Sequence, residues 1–82
     1  MRYVFVECGE DWADGPSDGD FMIVSPASGL DYVVVGGDVL GTFEDESDLC
    51  EAIRDQMDLD QFWPNVWHQD ERGMVDLVRL VD

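Results

Sequence analysis

Four carboxylates in the middle of the chain recur at helical spacing. They are Asp48, Glu51, Asp55 and Asp58, at positions i, i+3, i+7 and i+10. A helix that rises 1.5 Å per residue would place them in one row along about 15 Å of its axis. A strand of DNA repeats its phosphate charge about every 3.4 Å, so the row would be a sparser anion array of similar linear form. The alternative interpretation of the same spacing is a solvated helix face.

A second acidic cluster lies in a segment rich in Gly and Asp, upstream of the first row. Its members are Glu10, Asp11, Asp14, Asp18 and Asp20, and Trp12 lies among them. An indole surrounded by polar groups is typical of an interface anchor, although Trp12 could instead fold back over an edge of the sheet. A calcium loop does not fit, because counting from Asp14 puts Pro16 at the third ligand position. We therefore predict that both acidic clusters and Trp12 bind a partner.

The charge of the whole chain points to the same kind of partner. Twenty Asp and Glu face four Arg and no Lys, so the net charge is -16 over 82 residues. Disordered acidic chains are poor in aromatic residues, whereas this one is 45% hydrophobic with three Trp, four Phe and two Tyr. A folded surface coated with carboxylates suits a basic protein, and direct binding to nucleic acid is excluded because phosphate contacts need Lys and Arg.

Other functional chemistry finds little support in the sequence. Cys8 and Cys50 are far apart and form no CxxC pair, and no GxSxG, Walker or HExxH motif occurs. His68 is the single histidine, and we expect it to be a surface or half-buried polar group. A reactive thiolate would need positive surroundings. We therefore expect no enzyme activity, no cofactor and no metal ion.

The location follows from the same absences. No apolar run reaches the length of a signal peptide or a membrane span. Two cysteines without a repeated spacing make a poor disulfide framework. We expect a reduced cytoplasmic protein that contacts no membrane and exists as a monomer or a small homo-oligomer.

The elements that would position these residues follow from period and turn signals. Alternating or β-branched runs predict strands over 2–8, 21–25, 31–35, 39–43, 65–69 and 74–81. Gly36 and Gly37 predict a tight hairpin, so the second to fourth strands should form a meander. A last hairpin should turn over 70–73, and the apolar residues of 62–67 should serve the core.

One helix should follow the meander, with Asp45 as its N-cap. Its apolar stripe would be Leu49, Cys50, Ile53 and Met57, opposite the carboxylate row. The predicted fold is a single α+β domain over 1–82. It consists of an antiparallel sheet of about five or six strands with one helix packed on one face.

In size, charge and predicted fold the chain resembles the small acidic DNA-mimic proteins of phages and mobile elements. This group includes anti-CRISPR proteins, restriction inhibitors and inhibitors of uracil-DNA glycosylase. The resemblance rests on the acidic clusters over 10–20 and 45–60 and on Trp12, and it involves no sequence motif. It implies blockade of a basic nucleic-acid-binding site on a partner, such as a CRISPR effector, a nuclease or a repair enzyme.

Two other functions stay open on the sequence. An excess of Asp over Glu without any Lys also fits a domain adapted to a salt-rich cytosol, where acidity serves solubility. The chain could also be an acidic regulator that neutralises a basic partner.

Overall fold

A computed structural model of the protein describes residues 1–6, 16–17, 19–57 and 64–82, which contain six strands and one helix. The elements in chain order are β1 (Arg2–Phe5), β2 (Phe21–Val24), β3 (Asp31–Val35), β4 (Asp38–Phe43), α1 (Glu46–Gln56), β5 (Val66–Gln69) and β6 (Val75–Val81). The predicted strands are confirmed with small changes at their ends. β1 ends at Phe5, and positions 7 and 8 of its predicted range lie outside the described residues.

The strands form one sheet in the order β1-β6-β5-β2-β3-β4. The β2-β3-β4 meander and the β5–β6 hairpin are antiparallel, as predicted. One pair departs from the predicted antiparallel sheet, because β2 and β5 run parallel with Phe21 opposite Val66. Parallel neighbours need a long crossover, and here β3, β4 and α1 together provide it. The fold is therefore α+β with a mixed sheet.

Glycines define the tight turn between β3 and β4. Gly36 and Gly37 have φ values of 60° and 85°, the positive values that a primed two-residue hairpin turn requires. The register then shifts between Val33 and Val34, which places Gly41 opposite Val33 and Val39 opposite Val34. This bulge leaves Leu40 as the extra residue of β4.

Helix α1 begins and packs as its sequence predicts. The side chain of Asp45 accepts a hydrogen bond from the backbone N–H of Ser47 at 2.8 Å, which confirms the predicted N-cap. The stripe of Leu49, Cys50, Ile53 and Met57 is buried. It packs in one core with sheet residues that include Phe21, Ile23, Val33, Val66 and Val78. The helix thus covers one face of the sheet, and the acidic residues of the helix lie on its solvent-facing side.

Candidate functional site

The outer face of α1 carries the part of the predicted acidic row that the structure describes. Asp48, Glu51 and Asp55 are all exposed, while their neighbours Leu49, Cys50 and Ile53 face the core. At 1.5 Å per residue these three carboxylates span about 10 Å of helix axis. We call these three residues the acidic ridge. Asp58, the fourth predicted member, lies outside the described residues.

The acidic surface continues upstream of the ridge. Glu44, Asp45 and Glu46 are exposed as well, although one oxygen of Asp45 is engaged by the cap. Acids in the first helical turn interact favourably with the positive end of the helix dipole, which offsets part of their mutual repulsion. The helix dipole therefore stabilises the acidic residues in the first turn of α1. It gives no such stabilisation to acidic residues near the C-terminal end.

No cation neutralises the ridge within the described part of the chain. Arg54, the one basic residue of α1, pairs instead with Asp82 at 3.5 Å. Their side chains are 47% and 85% exposed, so the pair contributes at most about 1 kcal/mol to stability. The remaining arginines lie in β1, in the β5–β6 turn and in β6. The ridge therefore presents its carboxylates to solvent, where a basic partner could reach them.

Asp20 has a different role from the ridge, although it was predicted with the partner-binding acids. It is half-buried, and its carboxylate accepts three hydrogen bonds. The donors are the backbone N–H of Ser17 at 3.0 Å, the backbone N–H of Asn65 at 3.2 Å and Nε1 of Trp67 at 3.1 Å. These contacts tie the start of β2 to the start of β5. Asp20 is thus engaged inside the protein.

Glu10, Asp11, Trp12, Asp14 and Asp18 lie outside the described residues. The structure therefore brings Asp48, Glu51 and Asp55 together on one helix face. Asp20 differs from them because its carboxylate is hydrogen-bonded within the protein.

A cluster of rings around His68 was not foreseen in the sequence. His68 is buried, at 8% exposure, so the expectation of a surface or half-buried group is wrong. Its Nε2 lies 2.8 Å from the Ser25 hydroxyl, and its ring stacks on Tyr3 with centroids 5.5 Å apart. Phe5 contacts the same ring edge to face at 5.8 Å. These partners are distant in sequence, so no local pattern could have indicated them.

Carboxylates act on this cluster through their charge. The pKa of Tyr3 is raised, first by burial and then by the negative charges of Glu46 and Asp31, against a lowering effect of its hydrogen bond to Ser25. Both carboxylates disfavour a further negative charge at the Tyr3 hydroxyl. The same field favours a positive charge brought to this side of the molecule.

Other kinds of site have weak structural support in the residues described. An apolar groove of about 240 Å³ lies between the end of α1 and β6. Its lining includes Met57, Val66, Leu77 and Leu80. No group of three or more His, Cys, Asp or Glu side chains in the described ranges could hold a metal ion. No helix there has the length and apolar character needed to cross a membrane.

No protein-family model, no curated protein and no solved structure matches the chain.

Proposed function

We propose that the protein is an inhibitor that mimics nucleic acid and occupies the basic nucleic-acid-binding site of a partner protein. The observation that carries this proposal is the ridge of Asp48, Glu51 and Asp55, exposed along one helix face without a cation in ion-pair distance in the described chain. A CRISPR effector, a nuclease or a repair enzyme has the kind of groove that such a surface would enter.

The repulsion between the ridge carboxylates destabilises the helix, which supports a binding role for these charges. Like charges three or four residues apart destabilise a helix by about 0.2 to 0.5 kcal/mol per pair. The only arginine in α1 contacts Asp82 and leaves this repulsion in place. A partner that supplies arginines and lysines would remove it, so part of the binding free energy would come from relief of repulsion within the helix.

The test compares two variants that remove the same charge from different places. Glu51→Gln with Asp55→Asn removes two ridge carboxylates, and Asp38→Asn with Glu71→Gln removes two exposed carboxylates elsewhere. Asp48 is left in place because it lies in the first turn, where its charge favours the helix. Each variant contains one Glu→Gln and one Asp→Asn change. A difference in their affinity for the partner therefore depends on where the charges lie.

The partner is first isolated on immobilised protein from a lysate at about 50 mM salt and eluted at high salt, since contacts between charges weaken as salt screens them. The eluted protein is then bound to labelled DNA or RNA, and the variants compete for it. We expect wild type to displace the nucleic acid, the ridge variant to do so with affinity lowered about a hundredfold, and the control variant to stay within a few-fold of wild type. Equal losses in both variants, or a captured protein that keeps its nucleic acid, would contradict the proposal.

A further inference from the structure

Phe5 is an exposed aromatic residue whose ring packs against two other rings. Its side chain is 61% exposed. Its ring nevertheless contacts Tyr3 at 6.3 Å with an interplanar angle of 87°, and it contacts His68 at 5.8 Å and 83°. We call Tyr3, Phe5 and His68 the aromatic platform. Single exposed apolar residues are common on protein surfaces, but Phe5 also has ring contacts beneath it and carboxylates on the same side of the molecule.

The support holds the Phe5 ring in a defined orientation. His68 is buried, stacks on Tyr3 at an interplanar angle of 27° and is fixed by the Ser25 hydroxyl. A ring that is already ordered loses little conformational freedom when a ligand packs on it. Phe5 therefore has the preorganisation expected of a binding residue.

Carboxylates lie near two of the three platform residues, Tyr3 and His68. Glu46 and Asp31 are close enough to raise the pKa of Tyr3. Asp76 is exposed and is the direct cross-strand partner of His68, so its side chain projects from the same face of the sheet. Among the residues that the structure describes, none of these three acids has an ion-pair partner. An aromatic face with unpaired anions on the same side of the molecule attracts a cation.

From this arrangement we infer that the aromatic platform binds the guanidinium group of an arginine supplied by the basic partner. The inference rests on the proposed function and adds a defined contact to it. A guanidinium is planar and weakly hydrated and stacks on aromatic rings, whereas an ammonium group is compact and strongly hydrated. A second copy of this chain is a poorer occupant, because each copy carries a net charge of -16.

The strand that carries Tyr3 and Phe5 contacts the helix that carries the ridge. The N-terminal ammonium of Met1 donates a hydrogen bond to the Ser47 hydroxyl at 3.2 Å, so the start of β1 abuts the first turn of α1. Glu46 belongs to that turn and Asp48 begins the ridge. A basic surface could contact the ridge through several charges and place one arginine on Phe5.

The experiment uses two fluorescent peptides, nona-arginine and nona-lysine, and measures their dissociation constants by anisotropy at about 50 mM salt. The test variant is Phe5→Leu, which keeps an apolar side chain and removes the π face, and Phe5→Trp is its rescue. Met74→Leu is the matched control, because Met74 is also 61% exposed. The Glu51→Gln, Asp55→Asn variant reports on the ridge.

We expect wild type to bind nona-arginine more tightly than nona-lysine. Phe5→Leu should weaken nona-arginine about threefold to tenfold and leave nona-lysine within twofold, while Phe5→Trp restores the preference. Met74→Leu should change neither peptide. Thermal unfolding of Phe5→Leu should stay near that of wild type, since the changed side chain is mostly in water.

Other results separate the platform from the ridge. If Phe5→Leu changes neither peptide, or both equally, the guanidinium site is overturned whatever the ridge variant does. If the ridge variant leaves both peptides unchanged while Phe5→Leu removes the arginine preference, the platform stands and the proposed ridge does not. A wild-type dimer that Phe5→Leu converts to a monomer would show that a second copy covers Phe5, which also overturns the inference.

Discussion

At the scale of single residues, carboxylates of this protein divide into those that face solvent and those that hold the chain together. Asp20 belongs to the second group, because its two oxygens accept hydrogen bonds from Ser17, Asn65 and Trp67. An N–H group left without an acceptor in a poorly hydrated place costs about 1 to 3 kcal/mol. The acidity of the chain therefore has a structural part as well as the surface part that we propose for binding.

Replacing Asp20 tests this division. We expect Asp20→Ala to lower the free energy of unfolding by about 1 to 2 kcal/mol, mainly because the indole N–H of buried Trp67 loses its acceptor, whereas the N–H of exposed Asn65 can turn to water. Asp38→Ala removes an exposed carboxylate and should stay within about 0.5 kcal/mol of wild type. Urea unfolding followed by Trp fluorescence measures both. Similar values for the two variants would mean that Asp20 is a surface acid like the others.

Cys50 gives a second prediction at this scale. It is a free thiol in the core, and burial, followed by the charge of Glu46, raises its pKa from 9.0 to about 11. The folded state then holds the thiol proton between pH 9 and 11 while the unfolded state releases it, so stability should fall as the pH rises through this window. In a Cys8→Ser background, alkylation by iodoacetamide at pH 8 should be at least about a hundredfold slower in folded than in unfolded protein. Equal rates would show that the helix does not seal Cys50.

At the scale of elements, one side chain stabilises the start of the helix. The Asp45 carboxylate satisfies the N–H of Ser47, and the backbone carbonyl of Asp45 accepts from Leu49 at 3.1 Å. Asp48 belongs to this first turn, so its direction depends on the cap, while the buried stripe holds Glu51 and Asp55 in place. The cap thus connects a local sequence signal to the proposed binding surface.

We expect Asp45→Ala to lower the free energy of unfolding by about 1 kcal/mol, and Asp45→Ser to cost less because its hydroxyl can still accept the hydrogen bond. Asp55→Ala is the control within the same helix. Asp55 lies near the negative end of the helix dipole, so its removal should leave stability unchanged or slightly higher. Helix content by circular dichroism and urea unfolding measure all three. A loss for Asp55→Ala as large as that for Asp45→Ala would contradict the capping role.

Local signals explain why much of the fold could be predicted. Strand β3 begins and ends where expected because turn residues flank it, with Gly29 upstream and Gly36 and Gly37 downstream. The exposure of the ridge followed from helical periodicity alone, since the apolar stripe fixes which side of α1 meets the sheet.

Long-range relations explain what could not be predicted. Alternation along β5 is the same whether the strand runs parallel or antiparallel to β2, so the mixed sheet had no signal in the sequence. The burial of His68 depends on Ser25, Tyr3 and Phe5, which come from other parts of the chain. Asp20 was grouped with neighbouring acids by composition, and its bonds to Asn65 and Trp67 depend on strand order.

At the scale of the whole molecule, the net charge of -16 sets how stability responds to salt. Unfolding moves the charges apart, so repulsion favours the unfolded state most strongly at low ionic strength. The Debye length shortens from about 30 Å at 0.01 M salt to below 10 Å at 0.3 M. We expect the free energy of unfolding to rise over this interval by at least about 1 kcal/mol, or about 4 to 8 °C in Tm.

Calorimetry or circular dichroism in sodium chloride measures this rise, and sodium sulfate is avoided because it also strengthens apolar burial. The Glu51→Gln, Asp55→Asn variant should show a smaller rise than wild type. If cooperative unfolding is lost below about 1 M salt, the charge serves adaptation to a salt-rich cytosol. The inhibitor proposal then fails, because an inhibitor of this kind must be folded near physiological ionic strength.

The order of the strands has a consequence for the time at which the sheet can close during synthesis. Among the strands that the structure describes, β1 is synthesised before the other five, and its neighbour in the sheet is β6, which follows them in the sequence. β2, β3, β4 and α1 can meet through contacts that are short in sequence, but β5 and β6 must arrive before β1 has a partner. Such distant pairings slow folding. Until β5 has been synthesised, Tyr3 and Phe5 lack the His68 ring against which they pack, so a nascent chain would offer both rings to chaperones.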